Sequence, residues 1–317
     1  MTLQQVIDKF RRYPKALDNG AGNLSRRWKC DKETIYEARK IVRDEIKRFT
    51  PEEIKKLPKV LLFDIEISPS IAYSFQRWNV NLSIDQIIQD PIMLTWSAKW
   101  LYNTEILGDK ITLDELKQFD DKRIVKSLWK LLDEADIVIA HFGDKFDIPI
   151  LNTRAIIHGL SPYSSIKSID TKKVVSSTFK FPSNKLDALA TYFGLEGKLK
   201  SGFNLWKSCL QGSDHTRQVH LDKMFIYNIQ DVKLLEEIYL ILRPWIKSHP
   251  NVGLYIESDT TVCSNCGSKH IEKTDKFYYT SAGKYPVYRC ECGALTRGRF
   301  NEYDKEKRKN LTLSIAK

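Results

Sequence analysis

Two acids one residue apart, Asp64 and Glu66, stand in an otherwise apolar run, Val60-Leu61-Leu62-Phe63-Asp64-Ile65-Glu66. On a strand, positions i and i+2 share a face, so both carboxylates point the same way. Burying such a pair raises both pKa values and is costly unless a cation compensates, and oxygen ligands of this kind suit Mg²⁺ or Mn²⁺. Taken alone, Asp-x-Glu also fits an exposed strand end. Two further acids shift that balance. Asp147 lies where an apolar strand gives way to a helix whose first turn accommodates Pro149, and helix N-termini attract anions and phosphates. Asp231 follows Tyr227 by four residues on a long, amphipathic helical stretch, which stacks the phenol one turn from the carboxylate. Two divalent cations would balance four converging carboxylates.

A second constellation is built of sulfur. Cys263-Ser264-Asn265-Cys266-Gly267 and Cys290-Glu291-Cys292-Gly293 are two tight turns, each offering two thiolates and each followed by a glycine able to adopt positive φ. Residues 277–280 and 287–289 flank Ser281-Ala282-Gly283-Lys284 as a hairpin. Four cysteines so placed leave no open coordination position, which makes a bound Zn²⁺ structural. The segment looks like a zinc ribbon, although Cys-x-Cys replaces the second Cys-x-x-Cys. In such a ribbon, Lys284, Arg289, Arg297 and Arg299 would face a phosphate backbone or a protein. Cys30 and Cys209 have no partner by spacing and are expected to be buried apolar residues.

The elements that must position these groups follow from periodicity. Short apolar runs at 60–66, 71–75, 92–98, 137–140 and 165–169 read as strands. Helical periodicity covers 123–132, 185–192 and 221–242, with another helix starting near 147. Strands first and strand–helix alternation afterwards describe a mixed α/β sheet covered by helices. Ahead of it, residues 21–40 have the layout helix, tight turn, helix, with Asp31 placed to cap the second helix and Leu24, Trp28, Ile35 and Ala38 forming a buried seam. This stretch resembles a helix-turn-helix, which would place Lys32, Thr34 and Arg39 toward a DNA groove. Ordinary helical hairpins share the same features. The aromatics Tyr73, Phe75, Trp78, Trp96, Trp100 and Phe146 sit at strand spacing and are expected in the core more readily than in a base-stacking groove. His141 is expected to be a supporting or core histidine. Asp144, Asp170 and Asp187 could approach the acids, although Asp187 suits helix capping.

Composition sets the bounds. The chain has 317 residues, 42% apolar and 29% charged, which excludes disordered and fibrous classes and allows one large domain or two to three smaller ones. No apolar run is long enough to span a bilayer and the first residues lack a signal-peptide pattern, so an intracellular protein, cytoplasmic or nucleoid-associated, is expected. The net charge of +11 is uneven. Residues 1–59 carry 16 Lys/Arg against 9 Asp/Glu, residues 60–250 carry 23 of each, and residues 251–317 carry 12 against 8. A neutral body between two basic ends fits chemistry at the centre and a polyanion at the flanks.

Phe63-Asp64-Ile65-Glu66, the stretch from Ala140-His141 to Leu151, and Tyr227 to Asp231 resemble, in order and separation, the three motifs of the DEDD superfamily of 3′-to-5′ exonucleases. The tyrosine variant matches best, in particular the proofreading domain of family-B DNA polymerases. Ser183 to Ala190 and Ile169-Asp170-Thr171 add support, and the resemblance spans about residues 60–245. It implies a ribonuclease-H-like fold and a two-metal exonuclease acting on a 3′ end, with single-stranded DNA favoured. By analogy Asp64 would bridge two Mg²⁺ or Mn²⁺ ions, Glu66 and Asp147 would complete the shell, and Asp231 would hold the ion that activates water. Tyr227 would orient that water or act near it as a general base, and a phenol titrating near pH 10 suits the positioning role better. Phe142 stands where the family usually has asparagine, and with Lys145 it would contact the terminal nucleotide.

The expected organisation is a helix-turn-helix module at 1–50, a linker at 51–59, the exonuclease core at 60–248, the ribbon at 255–300 and a basic tail at 301–317. One structural Zn²⁺, a nucleic-acid partner with DNA ahead of RNA, replication or repair proteins as further partners, and no membrane complete the expectation. A ribonuclease or structure-specific endonuclease of the same fold, and a non-catalytic DNA-binding regulator or replisome adaptor, are the alternatives.

Overall fold

A computed structural model describes all residues except 14, 15, 17–20, 39–50, 77, 196–201, 316 and 317, and leaves the side chains of 11, 21 and 51 undescribed. The chain divides into two compact units, one of 1–45 with 59–239 and one of 46–58 with 240–317. This division groups the stretch expected as a linker with the C-terminal unit.

The first unit opens with α1 (Leu3–Arg12), α2 (Ala21–Trp28) and α3 (32–38). Thr2 and Gln5 close a capping box on α1, and the Asp31 carboxylate accepts the Thr34 N–H at 2.7 Å to start α3. Leu24, Trp28, Ile35 and Ala38 are buried as expected, but Val6, Ile7 and Phe10 of α1 join them, with Phe10 edge-on to Trp28 at 4.9 Å. The module is therefore a three-helix cluster. A short helix, α4 (Pro51–Ile54), belongs to the second unit.

The body of the first unit is a five-stranded mixed sheet: β1 (Val60–Ile67), β4 (Met93–Trp100), β5 (Leu107–Lys110), β6 (Ile137–Ala140) and β7 (Lys167–Asp170), in the order β5-β4-β1-β6-β7. The neighbours of β1 are antiparallel β4 and parallel β6. Between β1 and β4, β2 (Ile71–Ala72) and β3 (Ile87–Gln89) pair only with each other. Helices α5 (Leu113–Gln118), α6 (Lys122–Glu134), α7 (Asp147–Ile157), α8 (Thr171–Thr178), α9 (Leu186–Phe193), α10 (Phe203–Leu210) and α11 (Asp214–Leu242) complete the unit. Leu128 and Leu132 of α6 pack with Phe63, Leu94 and Val138 in one continuous core. The ion pairs Lys99 to Glu236 and Lys110 to Asp222 tie α11 to β4 and β5. Along one face, α11 buries Met224, Asn228, Asp231, Val232 and Leu235, so that face includes polar groups as well as apolar ones. Among the described residues no helix is long and apolar enough to cross a membrane.

In the second unit, β8 (Ile271–Thr280), β9 (Gly283–Cys290) and β10 (Leu295–Arg297) form an antiparallel sheet ordered β10-β9-β8, and α12 (Lys305–Lys309) follows within the expected basic tail.

Candidate metal centres

β1 and β6 run in register only as far as Leu62 with Ile139. β1 continues beyond that point, and the Ile65 N–H is taken by the Asp147 carboxylate at 3.1 Å from the first turn of α7. Asp64 and Glu66 therefore emerge at the carboxyl end of a central strand, the usual place for a ligand site in an open α/β sheet. Asp231 meets them from α11: Asp64, Glu66 and Asp231 each offer an oxygen within 4.8 Å of the others. The structure brings these three together and places Asp147 beside them on the β1 backbone.

Asp147 is 2% exposed, and its pKa is pushed up to about 7, chiefly by burial, with the Ile65 N–H pulling it down and nearby Asp170 pushing it up. A cluster of acids, two of them (Asp147 and Asp231) buried, is what a pair of hard cations would neutralise, so the donor set fits Mg²⁺ or Mn²⁺. Tyr227 is buried on α11 one turn before Asp231, with its ring edge-on to Trp206 at 6.1 Å.

One participant escapes motif reading. Asn228 is fully buried and donates through Nδ2 to Asp64 Oδ2 at 2.7 Å, while its carbonyl oxygen lies 3.5 Å from the Thr95 hydroxyl, a donor. The carboxylate can only accept, so the amide orientation is fixed. Thr95 faces Glu66 across the β1–β4 ladder, so the contact links three elements beneath the acids. Its sequence signal was adjacency to Tyr227, which carries no information about which face is buried.

The other expected contacts fare unevenly. His141 bridges Thr171 Oγ1 and the Asn184 carbonyl at 2.9 Å each, a supporting role. Asp170 caps α8 through the Lys173 N–H at 3.1 Å and also accepts the Phe142 N–H at 3.0 Å, while Asp144 engages Ser168 and Asp187 is exposed at the start of α9. Phe142 has φ 79° and is partly exposed beneath Lys172 Nζ, 3.9 Å from its ring centre; Lys145 is exposed nearby in sequence. Lys32 is exposed, but the Thr34 hydroxyl donates to Asp31 at 2.6 Å and so serves the cap, and Arg39 lies outside the described residues.

Tyr73 (76% exposed), Phe75 and Trp78 (84%) are not core. Their arm pairs only with itself, so no second layer covers the rings. Phe146 is also partly exposed, whereas Trp96 and Trp100 pack in or against the core. Cys209 is fully buried as expected, but Cys30 is only partly so.

Asp120, Asp121 and His158 form another potential ligand set. Asp121, fully buried, already accepts from the Met93 N–H (2.7 Å) and from Arg154 Nε (2.8 Å) and Nη2 (2.6 Å), with His158 Nε2 at 2.6 Å. The bidentate guanidinium supplies the compensating charge, so this set is a structural pin.

In the second unit, the Sγ atoms of Cys263 and Cys292 are 3.8 Å apart and those of Cys266 and Cys290 3.6 Å. Disulfides are far shorter, whereas Zn–S bonds of about 2.3 Å give a tetrahedral edge of about 3.8 Å, so the four sulfurs fit Zn²⁺. Gly267 (φ 80°) and Gly293 (φ 87°) occupy the left-handed region, and their N–H groups bond the carbonyls of Cys263 and Cys290 at 2.9 Å. The Asn265 and Cys292 N–H groups point at sulfur, and the surrounding thiols hold the Cys292 pKa well below the ordinary thiol range.

Comparison with known proteins adds the following. Residues 106–243 match the family model of the RNase H superfamily, a stretch that includes Asp147, Tyr227, Asn228 and Asp231 and begins after Asp64 and Glu66. No curated protein matches. Among solved structures, the family B DNA polymerase of the hyperthermophilic archaeon Pyrobaculum calidifontis aligns at a TM-score of 0.43 and 17% identity, covering 59% of this chain and 25% of that chain. The aligned region thus spans a quarter of the polymerase. The match to this superfamily suggests a nuclease. The mixed sheet flanked by helices, of which residues 106–243 carry the match, is ribonuclease-H-like in fold.

Proposed function

We propose that the protein is a metal-dependent 3′-to-5′ exonuclease, with single-stranded DNA as its favoured substrate. The observation that carries this reading is the meeting of Asp64, Glu66 and Asp231 within 4.8 Å at the end of β1, with buried Asp147 beside them. Divalent cations held by these acids would supply the charge that stabilises an in-line attack on a phosphodiester. Around them, the chain does the positioning. Asn228 donates to one Asp64 oxygen and so would fix the orientation of that carboxylate toward a ligand. Tyr227 would orient a water beside Asp231. Phe142 and Lys145 would flank the terminal nucleotide, and α1–α3 would act as the helix-turn-helix that binds DNA. The four cysteines would hold one Zn²⁺ that keeps the ribbon folded.

The test is a gel time course on 5′-labelled single-stranded DNA and RNA of equal sequence, with Mg²⁺, Mn²⁺ or chelator. A metal-dependent ladder shortening from the 3′ end is expected, faster on DNA. Discrete internal fragments would replace the reading with an endonuclease, and faster decay of RNA with a ribonuclease. Tight DNA binding without any cleavage would replace it with a regulator or adaptor.

A further inference from the structure

The three-stranded sheet of the second unit has two faces of different character. Alternation places Tyr285, Val287 and Arg289 of β9 on one face, and the ladders put Tyr278 opposite Tyr285, Arg297 opposite Val287 and Leu295 opposite Arg289. The opposite parity of β9 leads to Cys290 and the sulfur cluster. Tyr278 (51% exposed), Leu295, Arg289 and Arg297 are all exposed on the first face. Arg297 does not wave freely: its guanidinium centre lies 4.4 Å from the Tyr285 ring centre and 5.5 Å from that of Tyr278. Among the described residues, the acid in register on this face is Glu272, opposite Arg289.

We propose that this face is a binding site for single-stranded nucleic acid, separate from the carboxylate cluster. Two tyrosines and a guanidinium lying over them give planar groups on which unpaired bases stack. Arg289 and Arg297 supply the positive charge a phosphodiester backbone requires, and an arginine held against rings loses little freedom on binding. A sheet face with two rings, Arg297 over them and Arg289 toward the cysteine end, suits a splayed single strand better than a duplex, whose bases are not available for stacking. An acidic peptide would use the arginines but would leave the exposed Tyr278 ring without a function.

The test measures anisotropy of a fluorescein-labelled oligothymidylate on the full-length protein in an Asp64→Ala background, which prevents cleavage. Tyr278→Ala with Arg297→Ala should weaken binding about tenfold or more and flatten its salt dependence. Arg297→Lys should restore the salt dependence and only part of the affinity. Elemental analysis must show one zinc per chain in each variant, so that loss of binding is not loss of the ribbon. Unchanged oligonucleotide affinity in the zinc-loaded double variant would overturn the assignment. So would displacement of the oligonucleotide by a polyglutamate peptide at equal charge, which would make the face an acidic-protein site. With Asp64 intact, both substitutions should leave hydrolysis of a small substrate, thymidine 5′-(4-nitrophenyl phosphate), at the wild-type rate. A parallel loss of that reaction would also overturn the proposal, because the substitutions would then act through the carboxylate site.

Discussion

The carboxylate cluster and the cysteine cluster are both groups of anionic ligands, and the chain assembles them in opposite ways. Each cysteine pair sits within one turn of backbone, with glycine at positive φ and N–H groups aimed at sulfur, and all four are buried. The acids come from β1, α7 and α11 and meet only when the sheet is complete, and Asp64 and Glu66 remain half-buried. On the proposed function, the first arrangement would close around an ion and gain stability from it, and the second would leave a side open to substrate and strain the fold until a cation arrives. Local assembly would then go with structure, and long-range assembly with chemistry.

The largest effect that would break this contrast is expected from Asp64→Ala. Cleavage should fall by about a thousandfold or more, since electrostatic stabilisation is the main lever in phosphoryl transfer, while thermal stability stays level or rises. Retained cleavage in a kinetic assay would end the comparison. Next, Cys263→Ser should release the zinc and make the ribbon sensitive to protease, yet leave Mn²⁺ binding by the acids intact, as read by electron paramagnetic resonance. Smaller still, Asn228→Ala should weaken that Mn²⁺ binding by about 10- to 100-fold, the usual cost of removing a group that orients a metal ligand. An unchanged Mn²⁺ titration would make Asn228 a packing residue only.

The smallest expected effect is the dependence of stability on pH. Asp147 keeps its proton in the folded, metal-free protein up to about pH 7, whereas the unfolded chain releases it near an ordinary carboxylate value. The folded state thus binds more protons between those limits, and stability falls as pH rises through them. Melting curves of metal-free protein should show a loss of a few degrees attributable to Asp147 between pH 5 and 7. The Asp147→Asn variant should lack that contribution, and Mn²⁺ should remove it from the wild type.

The parts legible in the sequence were those with local signals. β1 announced itself by an apolar run with two acids, α7 by Asp147 and Pro149, and the ribbon by cysteine spacing. β5 was missed because Leu107-Gly108-Asp109-Lys110 is a polar edge strand whose only partner among the described residues, β4, is remote evidence of its existence. α5 was missed despite a signal, since Thr112 and Glu115 form a capping box. α11 begins at Asp214, seven residues before Leu221, because Asp214 and Asp222 are held by lysines of α5 and β5 that periodicity cannot register. The exposed rings of the 71–89 arm failed for the opposite reason: their alternation reads as a covered strand, and only the topology reveals that, among the described residues, nothing covers them.

The Asp121 pin has a mechanical consequence. Arg154 stands seven residues after Asp147 on α7, about 10 Å along the axis, and the pin ties that helix to the Met93 backbone at the start of β4. The other end of the helix is tied to β1 through Asp147 itself. α7 is thus a beam clamped at both ends to neighbouring strands, so one acid of the site inherits the stiffness of the sheet rather than the looseness of the loop that precedes it.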